Sequence, residues 1–195
     1  GVYAYMKHFA LNDQEGNRNC MAATWSNEQA IREIYLKPFE MSVKDADCHA
    51  VMSSFNYIGN RWAGGCSELL QNVLRGEWGF LGFVETDYFG VYGYMTADQA
   101  VRNGGDLMLC TTGNDYNNVT VLTNSSKQAM RTSAKNILYT VVNSRAYEAE
   151  NLNPGMAKWK IIMIGADVVV ALLIVGLEYT AIKNYKKRKE EEEEV

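Results

Sequence analysis

The chain has 195 residues, of which 47% are hydrophobic and 22% charged, as in an ordinary globular domain with a sizeable apolar core. The formal net charge of −4 argues against nucleic acid as a partner. Four cysteines are scattered without a Cys-x-x-Cys spacing, which disfavours zinc-binding and thioredoxin-like classes and leaves their pairing open. We therefore expect neither a metal nor a cofactor.

The first part of the chain predicts a strand followed by a helix. Residues Val2 to Phe9 alternate apolar and aromatic positions and bring Lys7 and His8 to the carboxyl end of the strand. The segment Ser26-Asn-Glu-Gln29 is typical of a capping box, and apolar residues at helical spacing follow it as far as Phe39. This pattern is one complete β-α unit.

Three further units of the same kind are predicted. Their strands are His49–Phe55, Phe80–Val84 and Asp106–Cys110, and their helices are Ser67–Leu74, Thr96–Val101 and one that begins near Ser125. The last helix has an apolar face, formed by Met130, Ala134, Ile137, Leu138, Val141 and Val142. Strands that alternate with helices predict a parallel α/β sheet, and four units are about half of a (β/α)8 barrel of ~250 residues.

Asp87 follows the end of the third predicted strand, in a segment bounded by Gly79 and Gly90. In an α/β barrel the carboxyl ends of the strands face the pocket, so a carboxylate at this place is a candidate for chemistry. Aspartate in such a position also commonly caps the following turn. The segment by itself leaves both roles open.

Three motifs carry a resemblance to a known family. They are Lys7-His-Phe-Ala-Leu-Asn12, Val51-Met-Ser-Ser-Phe-Asn56 and the segment from Arg75 to Asp87, Arg-Gly-Glu-Trp-Gly-Phe-Leu-Gly-Phe-Val-Glu-Thr-Asp. In this order they resemble the family 3 glycoside hydrolases, the β-glucosidase family, from about Tyr3 to Tyr147. The resemblance implies that the four units are the second half of a TIM-type barrel, and that the first half and an α/β domain lie upstream.

The resemblance also implies a reaction and roles for single residues. It implies a retaining hydrolysis of terminal β-linked sugars, in which Asp87 is the nucleophile and forms a covalent glycosyl-enzyme. Lys7 and His8 match residues that bind sugar hydroxyls, although a histidine outside such a motif would be interpreted as a core residue. Met52, Phe55 and Tyr88 match positions in the substrate pocket. The acid/base residue has no counterpart in this chain, so we expect the chain alone to be inactive.

The sequence departs from the family pattern at three positions. Phe55 replaces the usual tyrosine, Tyr88 replaces the more frequent tryptophan, and Glu85 stands where the family has an apolar residue. These departures keep a second interpretation open, in which the chain is a non-catalytic, membrane-anchored carbohydrate-binding or structural module. Three polar residues after the Lys-His pair are expected to help shape the pocket: Asp13, Glu15 and Arg18.

The character of the chain changes after residue 147. We predict a barrel domain at 1–147, a linker at 148–158, a transmembrane helix at 159–182 and a charged tail at 183–195. Asp167 and Glu178 interrupt the apolar run, so an amphipathic or buried terminal helix is the alternative.

The flanking charges predict the orientation of this helix. Basic residues follow the apolar run directly, which by the positive-inside rule predicts a single-pass protein of the cell membrane with a cytoplasmic C-terminus and an extracytoplasmic barrel. A soluble α/β domain with a hydrophobic tail remains the third possibility. The chain begins without methionine inside a strand pattern, which predicts that it is the C-terminal part of a longer protein.

Overall fold

The computed structural model describes residues 3–89, 92–111, 115–148 and 155–193. Two compact units are present, Gly1–Tyr147 and Glu148–Val195. Val2, at the start of the first predicted strand, Gly90 and most of the predicted linker at 148–158 lie outside the described residues.

The first unit contains two small sheets. The strands are β1 (Met6–Phe9), β2 (Ala23–Thr24), β3 (Ala50–Ser53), β4 (Tyr57–Ile58), β5 (Arg61–Trp62) and β6 (Phe83–Glu85). The central sheet has the order β1-β3-β6, and all of its strands are parallel. This arrangement confirms the predicted parallel α/β architecture, whereas membership of a half-barrel stays a prediction.

The second sheet was not predicted. In it β2 runs parallel to β4, and β4 pairs with β5 as an antiparallel hairpin. Strands of two residues have no hydrophobic periodicity, so the sequence pattern does not reveal them. This sheet holds the loop that follows β1 close to the loop that follows β3.

The helices are divided between the two units. They are α1 (Glu28–Ala30), α2 (Lys37–Lys44), α3 (Ala97–Arg102), α4 (Asn124–Val142) and, in the second unit, α5 (Lys158–Glu193); π-helical segments cover Ile31–Tyr35 and Glu68–Glu77. The predicted cap at Thr96 is confirmed, because its hydroxyl accepts a hydrogen bond from the Gln99 amide at 3.3 Å. The first helix is capped by Asn27 rather than Ser26. The capping box of α4 uses Thr123 and Ser126, two residues before the predicted one.

Two predicted strands differ from the structure. The third begins at Phe83 instead of Phe80, and it ends at Glu85. The fourth, Asp106–Cys110, lies beside β6 but forms only one regular bridge, between Glu85 and Leu107. The Thr86 hydroxyl accepts a hydrogen bond from the Leu109 amide, so a side chain replaces the regular ladder there.

Of the apolar face predicted for α4, Met130, Ile137 and Val141 are half-buried and the other three residues are exposed. Leu138 and Val142 are 57% and 63% exposed, and the buried residues of the helix are Ser126, Ser133, Asn136 and Thr140. Ser133 donates a hydrogen bond to the Gly105 carbonyl, and Thr140 donates one to the His49 carbonyl. A polar face is favoured because α4 packs against backbone carbonyls, which accept hydrogen bonds from its hydroxyl groups.

A buried ion pair connects the elements around β6. Arg75 donates to Asp106 at 2.7 Å, and the same carboxylate accepts hydrogen bonds from the Val84 amide and the Asn136 side chain. Gly82 stands next to it, where a Cβ atom would overlap the carbonyl oxygen of His49. This close approach of backbones fixes the position of the segment that leads to Asp87.

The second unit contains α5, a helix with exposed side chains as far as Glu190. By length and composition, residues Lys158–Glu190 could cross a membrane, and no other helix of the described residues could.

Candidate active site

Asp87 lies just beyond the carboxyl end of β6, and it is 7% exposed. Its Oδ1 atom accepts a hydrogen bond from the Tyr88 amide at 2.7 Å. Its Oδ2 atom is 3.0 Å from the Arg18 guanidinium and 3.4 Å from Nε2 of His8. One oxygen therefore caps the turn after β6. The other oxygen faces two side chains, which are His8 in β1 and Arg18 in the loop that follows β1.

Arg18 is the strongest partner of this carboxylate. Besides Asp87, its guanidinium contacts Glu15 at 2.8 Å and lies 4.7 Å from the centre of the Phe55 ring. A charge-assisted hydrogen bond of this kind is stronger than one between neutral groups. Arg18 thus connects the loops after β1, β3 and β6, a role more central than the pocket-shaping role predicted for it.

His8 is held near Asp87 mainly as a neutral imidazole. Burial lowers the pKa of His8 below its usual 6.5, and the positive charges of Lys7 and Arg18 lower it further, against the opposing effect of Asp87. The 3.4 Å contact with Asp87 is therefore a polar contact rather than a permanent ion pair near neutral pH. A neutral imidazole can donate one hydrogen bond and accept another, as a sugar hydroxyl requires.

The other predicted site residues differ in their placement. Phe55 is buried and reaches Asp87 only through Arg18. Tyr88 is 41% exposed; its amide holds Asp87, and its hydroxyl lies 3.0 Å from that of Thr111. Met52 is half-buried opposite Glu85 in the sheet. Lys7 is exposed, and within the described residues it has no ion pair with Asp87.

A cluster of aromatic rings beside the site was missed by sequence reasoning. The Tyr94 ring packs at a tilt against the Tyr57 ring, with 5.6 Å between their centres, and the Tyr94 hydroxyl donates a hydrogen bond to the Phe55 carbonyl. Tyr92 meets the Phe55 ring edge-on at 5.5 Å. The sequence offered one signal for this cluster, which is the group of tyrosines that follows Asp87. Their contacts join different loops, so sequence spacing does not reveal them.

Glu85 has a partner of its own. Burial raises the pKa of Glu85, and the neighbouring Tyr5 hydroxyl lowers it by a smaller amount. In the described part of the chain, no group of three His, Cys, Asp or Glu side chains could hold a metal ion.

Fold and site together define an α/β protein with a carboxylate-centred site at the carboxyl edge of a parallel sheet. Residues 1–138 match the family described as "Glycosyl hydrolase family 3 N terminal domain". The chain belongs to this family of glycosyl hydrolases.

Solved and curated relatives agree with this assignment. Beta-glucosidase B of Emericella nidulans is 44% identical over 107 residues, which are 55% of this chain and 12% of that protein. The structure of β-glucosidase 3B from Thermotoga neapolitana in complex with glucose is 30% identical with a TM-score of 0.63, over 77% of this chain and 22% of that one. The β-glucosidase of Kluyveromyces marxianus in complex with glucose is 29% identical with a TM-score of 0.61, over 73% and 18%. The chain thus spans a small part of the relatives that it matches.

Proposed function

We propose that the chain is part of the active site of a β-glucosidase-like glycoside hydrolase. Its substrate would be a terminal β-linked sugar, and the reaction would retain configuration. The observation that carries this proposal is the buried Asp87 carboxylate, which turns one oxygen toward Arg18 and His8.

In this mechanism Asp87 attacks the anomeric carbon. The Arg18 guanidinium and the Tyr88 amide would each hold one oxygen, so that the carboxylate keeps its orientation. Attack forms the bond between Asp87 and the sugar as the bond to the leaving oxygen breaks. An acid/base residue outside this chain would protonate that oxygen and later activate water.

The remaining residues would bind the sugar. His8 beside Asp87 can bond a hydroxyl next to the reacting carbon, and the exposed Lys7 ammonium is free of a competing ion pair within the described residues. Met52 and Phe55 would form apolar walls, and Tyr88 would lie at the rim. These assignments follow the motifs that the chain shares with the family.

We further propose that β1, β3 and β6 belong to the second half of a TIM-type barrel whose first half and α/β domain lie upstream. Residues 148–158 would then link the barrel to a membrane-spanning helix at 159–182, with the tail 183–195 in the cytoplasm. Support comes from the single long apolar helix found in the described residues and the basic residues that follow it.

The test is mechanism-based labelling of the full-length protein that carries these residues. A 2-deoxy-2-fluoro-β-glucoside with an activated leaving group should label the peptide that contains Asp87. Asp87→Asn should lower kcat for an aryl β-glucoside by at least about three orders of magnitude. Asp47→Asn, at a carboxylate whose side chain is 94% exposed, is the matched control and should retain activity.

Absence of label, together with sugar binding in an otherwise folded protein, would favour the non-catalytic module instead. Label on another carboxylate would refute the role of Asp87 as the nucleophile, but it would not refute glycosidase activity. Turnover by the 195 residues without further segments would contradict the expectation that half a barrel is inactive.

A further inference from the structure

The apolar stretch of α5 contains two carboxylates. Asp167 and Glu178 are the only charged residues from 161 to 182, and α5 is helical without a break through both positions. This continuity decides how the two side chains are arranged.

The two carboxylates lie on one face of the helix. They are eleven positions apart, which is close to three turns at about 3.6 residues per turn and about 16 Å along the axis. Ala171 is on the same side, one turn after Asp167, and its small side chain permits another helix to approach closely.

Neither carboxylate can be satisfied by its own helix. The residues one turn before and after Asp167 and Glu178 are all aliphatic or methionine: Met163, Ile164, Val170, Ala171, Ile174, Val175, Ala181 and Ile182. In the described residues neither carboxylate forms an ion pair. Each therefore needs water, a bound proton or a partner from another chain.

A bilayer would remove the water from at least one of them. This step rests on the membrane-spanning placement of α5 proposed above. A helix needs about 20 residues to cross the hydrocarbon core, but only ten residues lie between the two carboxylates. The two carboxylates therefore cannot both lie at the edges of the core. With residues 161–182 in the core, Asp167 would be about 9 Å from the nearer edge, and its short side chain cannot reach the interface as a lysine can.

Charge decides which occupant fits this face. A second copy in parallel orientation would place carboxylate against carboxylate, which is repulsive. A basic side chain would instead neutralise Asp167 and satisfy its oxygens. We propose that the face defined by Asp167, Ala171 and Glu178 binds another membrane-spanning helix that carries a lysine or arginine near the middle of the span.

The test uses the whole chain in a bacterial membrane two-hybrid assay with designed partner helices. One probe is an oligo-leucine helix with a single lysine near its middle, and matched probes have leucine or glutamate there. The lysine probe should give on the order of tenfold more association than the leucine probe. Asp167→Leu should reduce the lysine signal to the leucine level, while Glu178→Gln, nearer the membrane edge, should reduce it partly.

Equal association with the lysine and leucine probes would overturn the proposal, as would self-association of the chain that depends on Asp167. Insertion is measured separately with a reporter fused to the C-terminus. A helix that does not insert refutes the membrane anchor and this partner together. A helix that inserts without preferring lysine refutes the partner alone, and neither result bears on the role of Asp87.

Discussion

The two oxygens of Asp87 have different partners, one from the backbone and the other from two side chains. The Tyr88 amide bonds Oδ1, so backbone geometry fixes the carboxylate. Arg18 and His8 approach Oδ2 from the segment after β1. A substitution at either partner therefore changes the electrostatics of the site while the turn remains capped.

His8 offers a direct measurement of these electrostatics. Its pKa is lowered from 6.5 by burial, raised by Asp87 and lowered by Lys7. Asp87→Asn should therefore lower the pKa of His8 further, and Lys7→Met should raise it. The chain has two histidines, so the imidazole signals can be followed by NMR titration of the chain in detergent micelles.

The same shift has a consequence for stability. Because the folded state favours neutral His8, this residue's contribution to the free energy of unfolding is complete above pH 6.5 and is lost as the pH falls through the lowered pKa. A His8→Gln variant should lose this part of the pH dependence. A higher pKa of His8 in Asp87→Asn, or a lower one in Lys7→Met, would mean that the site is arranged differently.

Among the elements, β6 depends on the Arg75–Asp106 pair more than on its own three residues. Asp106 is 8% exposed and joins the segment Glu68–Glu77, β6 and α4. Removing one partner of a buried pair leaves an uncompensated charge, so Asp106→Ala should reduce the free energy of unfolding by about 3–5 kcal/mol. Urea unfolding followed by tryptophan fluorescence measures this loss.

The matched control for this pair is the exposed ion pair between Arg32 and Glu77, with a contact of 2.6 Å. Glu77→Ala should have a much smaller effect, because water replaces the partner of an exposed charge. Equal losses in the two variants would show that burial does not determine the strength of the Arg75–Asp106 pair.

The elements also show what sequence patterns can and cannot predict. The parallel sheet and the placement of His8 and Asp87 at its carboxyl edge followed from the alternating β-α units, because parallel strands end at a common edge. The polar buried face of α4 did not, since Ser133 and Thr140 bond to backbone carbonyls that no sequence period marks. The link from Arg18 to Asp87 spans 69 positions, a distance at which spacing carries no information.

For the whole molecule, the main question is whether the helix at 159–182 anchors a catalytic unit to a membrane. Its flanks are asymmetric, because the basic residues Lys183, Lys186, Lys187, Arg188 and Lys189 follow the apolar run. Positive charge resists transfer across the membrane, so a C-terminal green fluorescent protein fusion should fluoresce and an alkaline phosphatase fusion should stay inactive. Carbonate extraction should leave the chain in the membrane pellet and release a variant that lacks residues 159–195.

Charge substitution separates orientation from anchoring in the same assay. Replacing the five basic residues by glutamine should weaken the orientation, so that phosphatase activity rises while the pellet fraction is unchanged. Replacing Glu190 to Glu193 by glutamine is the matched control and should change neither readout, since acidic residues contribute little to orientation. Release of the intact chain by carbonate would show that α5 does not span the bilayer, whatever the result at Asp87.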